Sequence, residues 1–109
     1  MRKLIQRSIY AGMVCSLALP LLTQAQSDAA TIYKTNCDLC HGPGGSGDTP
    51  TGKAFHAKDL RSDDVQKQSD ATLTEVITKG RGKMPAFGGK IRPADVQKLV
   101  AYIRSLPKT

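Results

Sequence analysis

The sequence predicts a small all-α domain of three main helices, closed around something bulkier than its own side chains. Apolar residues recur at helical spacing in three separate stretches, and no run alternates with period two for long enough to propose a sheet. Between the stretches lie Gly-rich segments that cannot be regular elements. The apolar supply is also thin: of 109 residues, 39% are hydrophobic and 5% aromatic, with no Trp. Domains of this size bury only about 60% of their unfolded surface and are marginal alone. A bulky bound group would supply the missing core volume.

The first 25 residues are expected to be an address rather than part of the domain. Arg2, Lys3 and Arg7 form a basic start, and Ile9 to Leu22 is apolar but interrupted by Gly12, Ser16 and Pro20. Thr23-Gln24-Ala25 then offers small residues at the minus-three and minus-one positions of a cleavage site. A membrane-spanning helix needs about 20 apolar residues, and this stretch falls short. Residues 1–25 therefore read as a cleaved secretory signal and 26–109 as the domain, exported to the periplasm without stable membrane insertion. The mature chain has 84 residues and a net charge of +4, against +7 for the full sequence. Cys15 leaves with the signal, so Cys37, Cys40, His41, His56 and Met84 are the Cys, His and Met residues that remain.

Ser27 or Asp28 can cap the first helix, which runs to about Asn36 with Ala29, Ile32 and Tyr33 on one face. Gly42 to Gly52 carries five Gly and two Pro and reads as irregular. Ser69 or Asp70 can cap the second helix; Leu73, Val76 and Ile77 form its inner face and Gly80 ends it. Pro93 suits the first turn of the third. From there Val96, Leu99, Val100, Ile103 and Leu106 trace an apolar stripe that Pro107 terminates. Residues 53–67 give no clear pattern.

The chemistry lies in Cys37-Asp38-Leu39-Cys40-His41. C-x-x-C-H is the attachment signal for one covalently bound c-type haem. Two thiols three positions apart at a helix end can each add across one vinyl group of the same porphyrin, and the adjacent imidazole then lies under the iron as its proximal ligand. The competing readings are weaker. Zinc would want four ligands, and His56 is the available fourth at no recognised spacing. A thioredoxin-like dithiol belongs at the start of a helix in a βαβ context. A disulfide closing so short a loop would add little stability.

Met84 is the candidate sixth ligand. It sits in Gly80-Arg81-Gly82-Lys83-Met84-Pro85, a Gly-flanked loop rather than a helical core face. The glycines let the chain bend around a haem edge, and Pro85 fixes its exit. A thioether is a soft, neutral ligand that favours ferrous iron. The alternatives are a core gap-filling Met84 and ligation by His56.

Taken together, Cys37-x-x-Cys40-His41 near the mature N-terminus, Lys83-Met84-Pro85 forty-three residues after His41, and Leu99-Val100-Ala101-Tyr102-Ile103-Arg104-Ser105-Leu106 at the end resemble the small bacterial class I c-type cytochromes. The likeness covers essentially the whole mature chain. It implies the cytochrome c fold, with crossing N- and C-terminal helices wrapped around one haem c. Ala29 and Tyr33 fall at the crossing positions, where Leu99 and Tyr102 would meet them; the family more often has Gly at the position of Ala29, which implies a slightly wider crossing. The family also has a Pro whose carbonyl accepts a hydrogen bond from the proximal His and makes the ring more basic. Pro50 is the match expected here, with Pro43 the less favoured alternative. The four-helix cytochrome c′ type carries its C-x-x-C-H near the C-terminus, which is the reverse of this chain.

The expected function is that of a monomeric, periplasmic single-electron carrier, not an enzyme, serving larger redox proteins of a respiratory or dehydrogenase chain. His56 is expected in solvent, or else against a haem propionate. Arg81, Lys83 and Lys90 form either a solvated basic face or a docking face for an acidic partner. Neither a phosphate loop nor a nucleic-acid motif is present. Two rivals remain: a sensor in which a gas displaces Met84, and a dedicated subunit of a dehydrogenase or oxidase.

Overall fold

The computed structural model describes residues 20–108, with side chains described from Asp28 onward. Most of the expected leader lies outside the described residues. Six helices follow one another among the described residues: α1 (Pro20–Asn36), α2 (Asp38–His41), α3 (Pro50–Phe55), α4 (Asp63–Gln66), α5 (Asp70–Lys79) and α6 (Pro93–Ser105). The described residues contain no strand, so the all-α expectation holds. No helix among them is long and apolar enough to cross a membrane.

The two long terminal helices make the main packing contact. Ala29 and Tyr33 on α1 are buried against α6, whose Val96, Leu99, Val100 and Ile103 are all buried. Each such aliphatic side chain contributes on the order of 1.5–3 kcal/mol when withdrawn from water. The Tyr33 and Tyr102 rings sit 5.1 Å apart and are tilted by 47°, within the range where aromatic edges and faces attract. Tyr33 is 2% exposed, and its hydroxyl donates to the Gly42 carbonyl at 2.7 Å. Burial pushes its phenol well above the usual range, so the proton stays on the donor. A polar tie joins the same two helices: Lys98 lies 3.8 Å from Asp28 and 3.5 Å from Asp95, and Asp95 also accepts from Arg92 at 2.8 Å.

Helix α5 starts and stops on the residues that the sequence nominated. The Ser69 side chain accepts from the Thr72 N–H at 3.1 Å, and Gly80 forms the C-cap at φ 76°. Leu73 and Ile77 face the core, whereas Val76 is only half-buried. Arg104 fastens α6 to the α4–α5 connection. Its guanidinium donates to the Gln66 carbonyl at 2.6 Å, to the Gln68 carbonyl and to Asp70 at 2.9 Å. Gln66 returns a side-chain bond to the Leu60 carbonyl at 2.7 Å.

Three expectations are corrected. Helix α1 is already helical at Pro20, the first described residue, and passes through Ser27 and Asp28 instead of being capped there, because neither residue nor any between them breaks a helix. The Gly-rich segment is not wholly irregular: Pro50-Thr51-Gly52 opens α3. Thr49 caps that helix and Pro50 occupies its first turn, a favourable pair that outweighs the glycine content. Residues 53–67 contain the end of α3 and all of α4, the latter capped by Ser62.

Candidate haem site

Only Cys37 separates α1 from α2, and it does not break the hydrogen-bonded run. Its N–H donates to the Tyr33 carbonyl at 2.8 Å, and its own carbonyl accepts from His41 at 2.9 Å. The helical turn brings Cys37, Cys40 and His41 to one short element with both thiols free. Burial, reinforced by the nearby Asp38 carboxylate, pushes the Cys37 thiol up to about 11. It is therefore a neutral thiol near pH 7, unlike the acidified cysteines of redox dithiol centres.

The His41 ring is held by a backbone carbonyl. Nδ1 lies 2.9 Å from the oxygen of Lys58. A carbonyl can only accept, so Nδ1 carries the proton and Nε2 of the neutral ring keeps a free lone pair. The bond was expected from Pro50, and this is a correction. Pro50 is the first residue of α3, so its carbonyl points along that helix toward the following turn. The Lys58 carbonyl is instead delivered by the chain beyond α3, which is pinned by the Leu60 N–H donating to the Gly45 carbonyl at 2.8 Å. Arg61 braces the same turn through two contacts to Asp59, at 3.0 and 3.1 Å, which hold that carboxyl below its usual range.

Thr49 is a second supporting residue that sequence reasoning missed. Its hydroxyl faces the carbonyls of Leu39 at 2.7 Å and Cys40 at 3.1 Å while accepting from the Gly52 N–H at 2.9 Å. One side chain thus satisfies the end of α2 and the start of α3 together. Gly52 completes the joint by close approach: a Cβ there would come within 2.1 Å of the Cys40 carbonyl and 2.6 Å of the Gly47 carbonyl. Both obstacles are backbone, so neither can swing aside. Gly52→Ala is expected to cost about 3 kcal/mol, as overpacking of a tight contact does. A denaturant midpoint matching the parent's would show that α2 and α3 do not depend on this contact.

Met84 lies across a small hairpin. Arg81 and Met84 exchange backbone bonds of 3.1 and 3.0 Å around the Gly82-Lys83 turn. Gly80 is required at the base: its φ is 76°, and a Cβ would stand 2.6 Å from the Met84 carbonyl. Beyond the hairpin, Phe87 and Gly88 donate to the carbonyls of Ile77 and Thr78 at 2.9 and 3.0 Å, which moors the segment to α5. Met84 is half-buried and packs against the core together with Ile32, Cys37, Phe87 and Tyr102. His56 is exposed at the end of α3 in a left-handed conformation, φ 56°. Arg81, Lys83 and Lys90 are exposed.

The residues fit a covalently held haem. Two unpaired thiols and an imidazole with its Nδ1 already satisfied share one turn, and partly covered apolar side chains, a thioether among them, line the adjoining core surface. Groups of three or more His, Cys, Asp or Glu suited to a bare metal ion are absent among the described residues.

Comparisons with known proteins agree. Residues 24–103 match the family described as cytochrome C oxidase, cbb3-type, subunit III. Cytochrome c6 of Microcystis aeruginosa is 34% identical over 76 residues, covering 70% of this chain and 90% of that protein. The cbb3-type cytochrome c oxidase subunit FixP of Azorhizobium caulinodans is 35% identical over 91 residues, 82% of this chain but only 30% of the longer protein. Among solved structures, the c-type cytochrome KustC0563 superposes with a TM-score of 0.68 at 31% identity, covering 74% of this chain and 99% of the other. Motif, fold and relatives converge: the chain belongs to the class I c-type cytochromes, an electron-transfer protein rather than an enzyme, carrying one covalently attached haem c.

Proposed function

We propose that this cytochrome is an exported, periplasmic carrier that passes single electrons between larger redox proteins of a respiratory or dehydrogenase chain. In this reading Cys37 and Cys40 hold the haem, and His41 and Met84 are its axial ligands. Residues 1–25 are the cleaved signal and 26–109 the working domain. The observation that supports it best is the bond from His41 Nδ1 to the Lys58 carbonyl. It fixes the tautomer that leaves Nε2 available as a ligand and increases the electron density of the ring.

Bound haem supplies an iron that alternates between ferrous and ferric states. Every other task falls to the chain. Cys37 and Cys40 tether the group from a single turn, so its position follows the backbone of α2. Lys58 and Thr49 hold that turn still through an electron's arrival and departure. Met84 offers a neutral sulfur that favours the reduced state and raises the potential relative to a second imidazole. With His41 and Met84 both given to the iron, no position on it would be left for a substrate. Arg81 and Lys90, exposed beside the Met84 segment, would attract an acidic surface on the partner.

The test is the visible and near-infrared spectrum of the purified holoprotein, oxidised and reduced, with and without carbon monoxide. A low-spin c-type spectrum with the weak sulfur-to-ferric-iron band, unmoved by carbon monoxide, is expected. A five-coordinate spectrum, or conversion by carbon monoxide, would replace the carrier with a gas-binding protein. The likeness to FixP favours a second reading, a dedicated oxidase subunit with one fixed partner. Stable co-purification with an oxidase would favour it over a free carrier.

A further inference from the structure

Among the described residues, two large apolar side chains stand out into solvent, Leu39 at 72% exposure and Phe55 at 50%. Phe55 is the last residue of α3, and its ring has a partner: the Lys83 ammonium lies 5.7 Å from its centroid. This contact joins segments that belong to opposite ligands of the proposed haem site. Helix α3 is fastened to the His41 turn through Thr49 and Gly52, and the chain leaving it supplies the Lys58 carbonyl. Lys83 occupies the turn of the hairpin that carries Met84.

The geometry points to Phe55 as a positioning residue for Met84: by holding the Lys83 ammonium over its ring, it latches the ligand hairpin closed and slows departure of the thioether from the iron. This rests on the reading of Met84 as sixth ligand. The hairpin has reason to need a latch. Its backbone pairing is one two-residue turn, a Cβ at Gly82 would meet open space, and Arg81, Gly82 and Lys83 are all exposed. Its moorings to α5 lie downstream, at Phe87 and Gly88, and do not restrain the tip. Lys83 makes no ion pair among the described residues, so no carboxylate draws it away from the ring. A cation over an aromatic face at an exposed site is strong enough to shift an open–closed balance by about two- to five-fold, and Trp holds a cation better than Phe.

Imidazole binding to the ferric holoprotein reads the latch directly, because at saturating imidazole the rate is set by how often Met84 leaves. Phe55→Ala and Phe55→Leu are both expected to raise that limiting rate about two- to five-fold, and Phe55→Trp to lower it. Lys83→Gln should raise it by the same factor, after which Phe55→Ala should add nothing. A packing role alone would leave Phe55→Leu like the parent and make Phe55→Ala additive with Lys83→Gln; either result overturns the latch. Unchanged rates across the Phe55 series would overturn it too. Met84→Ala separates this from the underlying assignment. Loss of the rate limit in that variant together with an inert Phe55 rejects the latch alone, whereas a rate limit retained in Met84→Ala removes Met84 from the iron and the latch with it.

Discussion

Met84→Ala is expected to keep its covalent haem, open the iron to carbon monoxide and lower the reduction potential. The direction follows from ligand chemistry: a thioether stabilises ferrous iron, and the water or vacancy that replaces it does not. Axial ligands set potentials over about 0.8 V across haem proteins, so a fall on the order of 0.1 V or more is expected here. The substitution should cost little stability beyond the lost side chain. The hairpin is held by backbone bonds between Arg81 and Met84, which alanine keeps, and by the moorings of Phe87 and Gly88 on α5. Potentiometry and carbon monoxide difference spectra check this. An unchanged potential with the iron still closed to ligands would show that Met84 does not bind it.

The largest effect is expected from Cys37→Ser combined with Cys40→Ser. Serine matches the size of cysteine and preserves the helical turn, but a hydroxyl does not form the thioether. Haem should then be lost completely under denaturing electrophoresis, while the parent band retains it. The fold should suffer as well. Cys37 and Met84 are among the partly buried residues packed against the core, and without a fixed haem beside them that surface faces water. Thermal unfolding of the double variant should therefore fall well below that of the holoprotein. Haem that survives denaturation in this variant would exclude the two thiols as its attachment points.

Much of this architecture was legible because the decisive signals are local. Ser69, Gly80 and Pro93 bound their helices as their chemistry suggests, and the stripe from Val96 to Ile103 is buried as its spacing requires. The C-x-x-C-H turn needed no tertiary information at all. What escaped notice was carried by backbone. Any residue can offer a carbonyl, so the side chain of Lys58 says nothing about its bond to His41; only the path of the chain, set by the pairing of Leu60 with Gly45, reveals it. Pro50 matches the proline that the family resemblance implies, whereas its work here is to start α3. Thr49 was readable in principle, since Thr followed by Pro is a helix-start pair, but the surrounding glycines masked it. The contact between Phe55 and Lys83 lies between segments far apart in sequence, and no periodicity encodes it.

The α1–α6 crossing has a consequence for timing. Tyr33 and Tyr102 lie far apart in sequence, so the crossing is a long-range contact that forms only once α6 is present. Until α6 arrives, α1 lacks its main packing partner, and Ala29 and Tyr33 just ahead of the Cys37–His41 turn are not covered by it. Cys37 and Cys40 nevertheless stay partly exposed once the C-terminal segment has docked, so the crossing does not seal them from solvent. The crossing thus sets when the foundation beneath that turn becomes firm, and leaves access to its thiols open throughout.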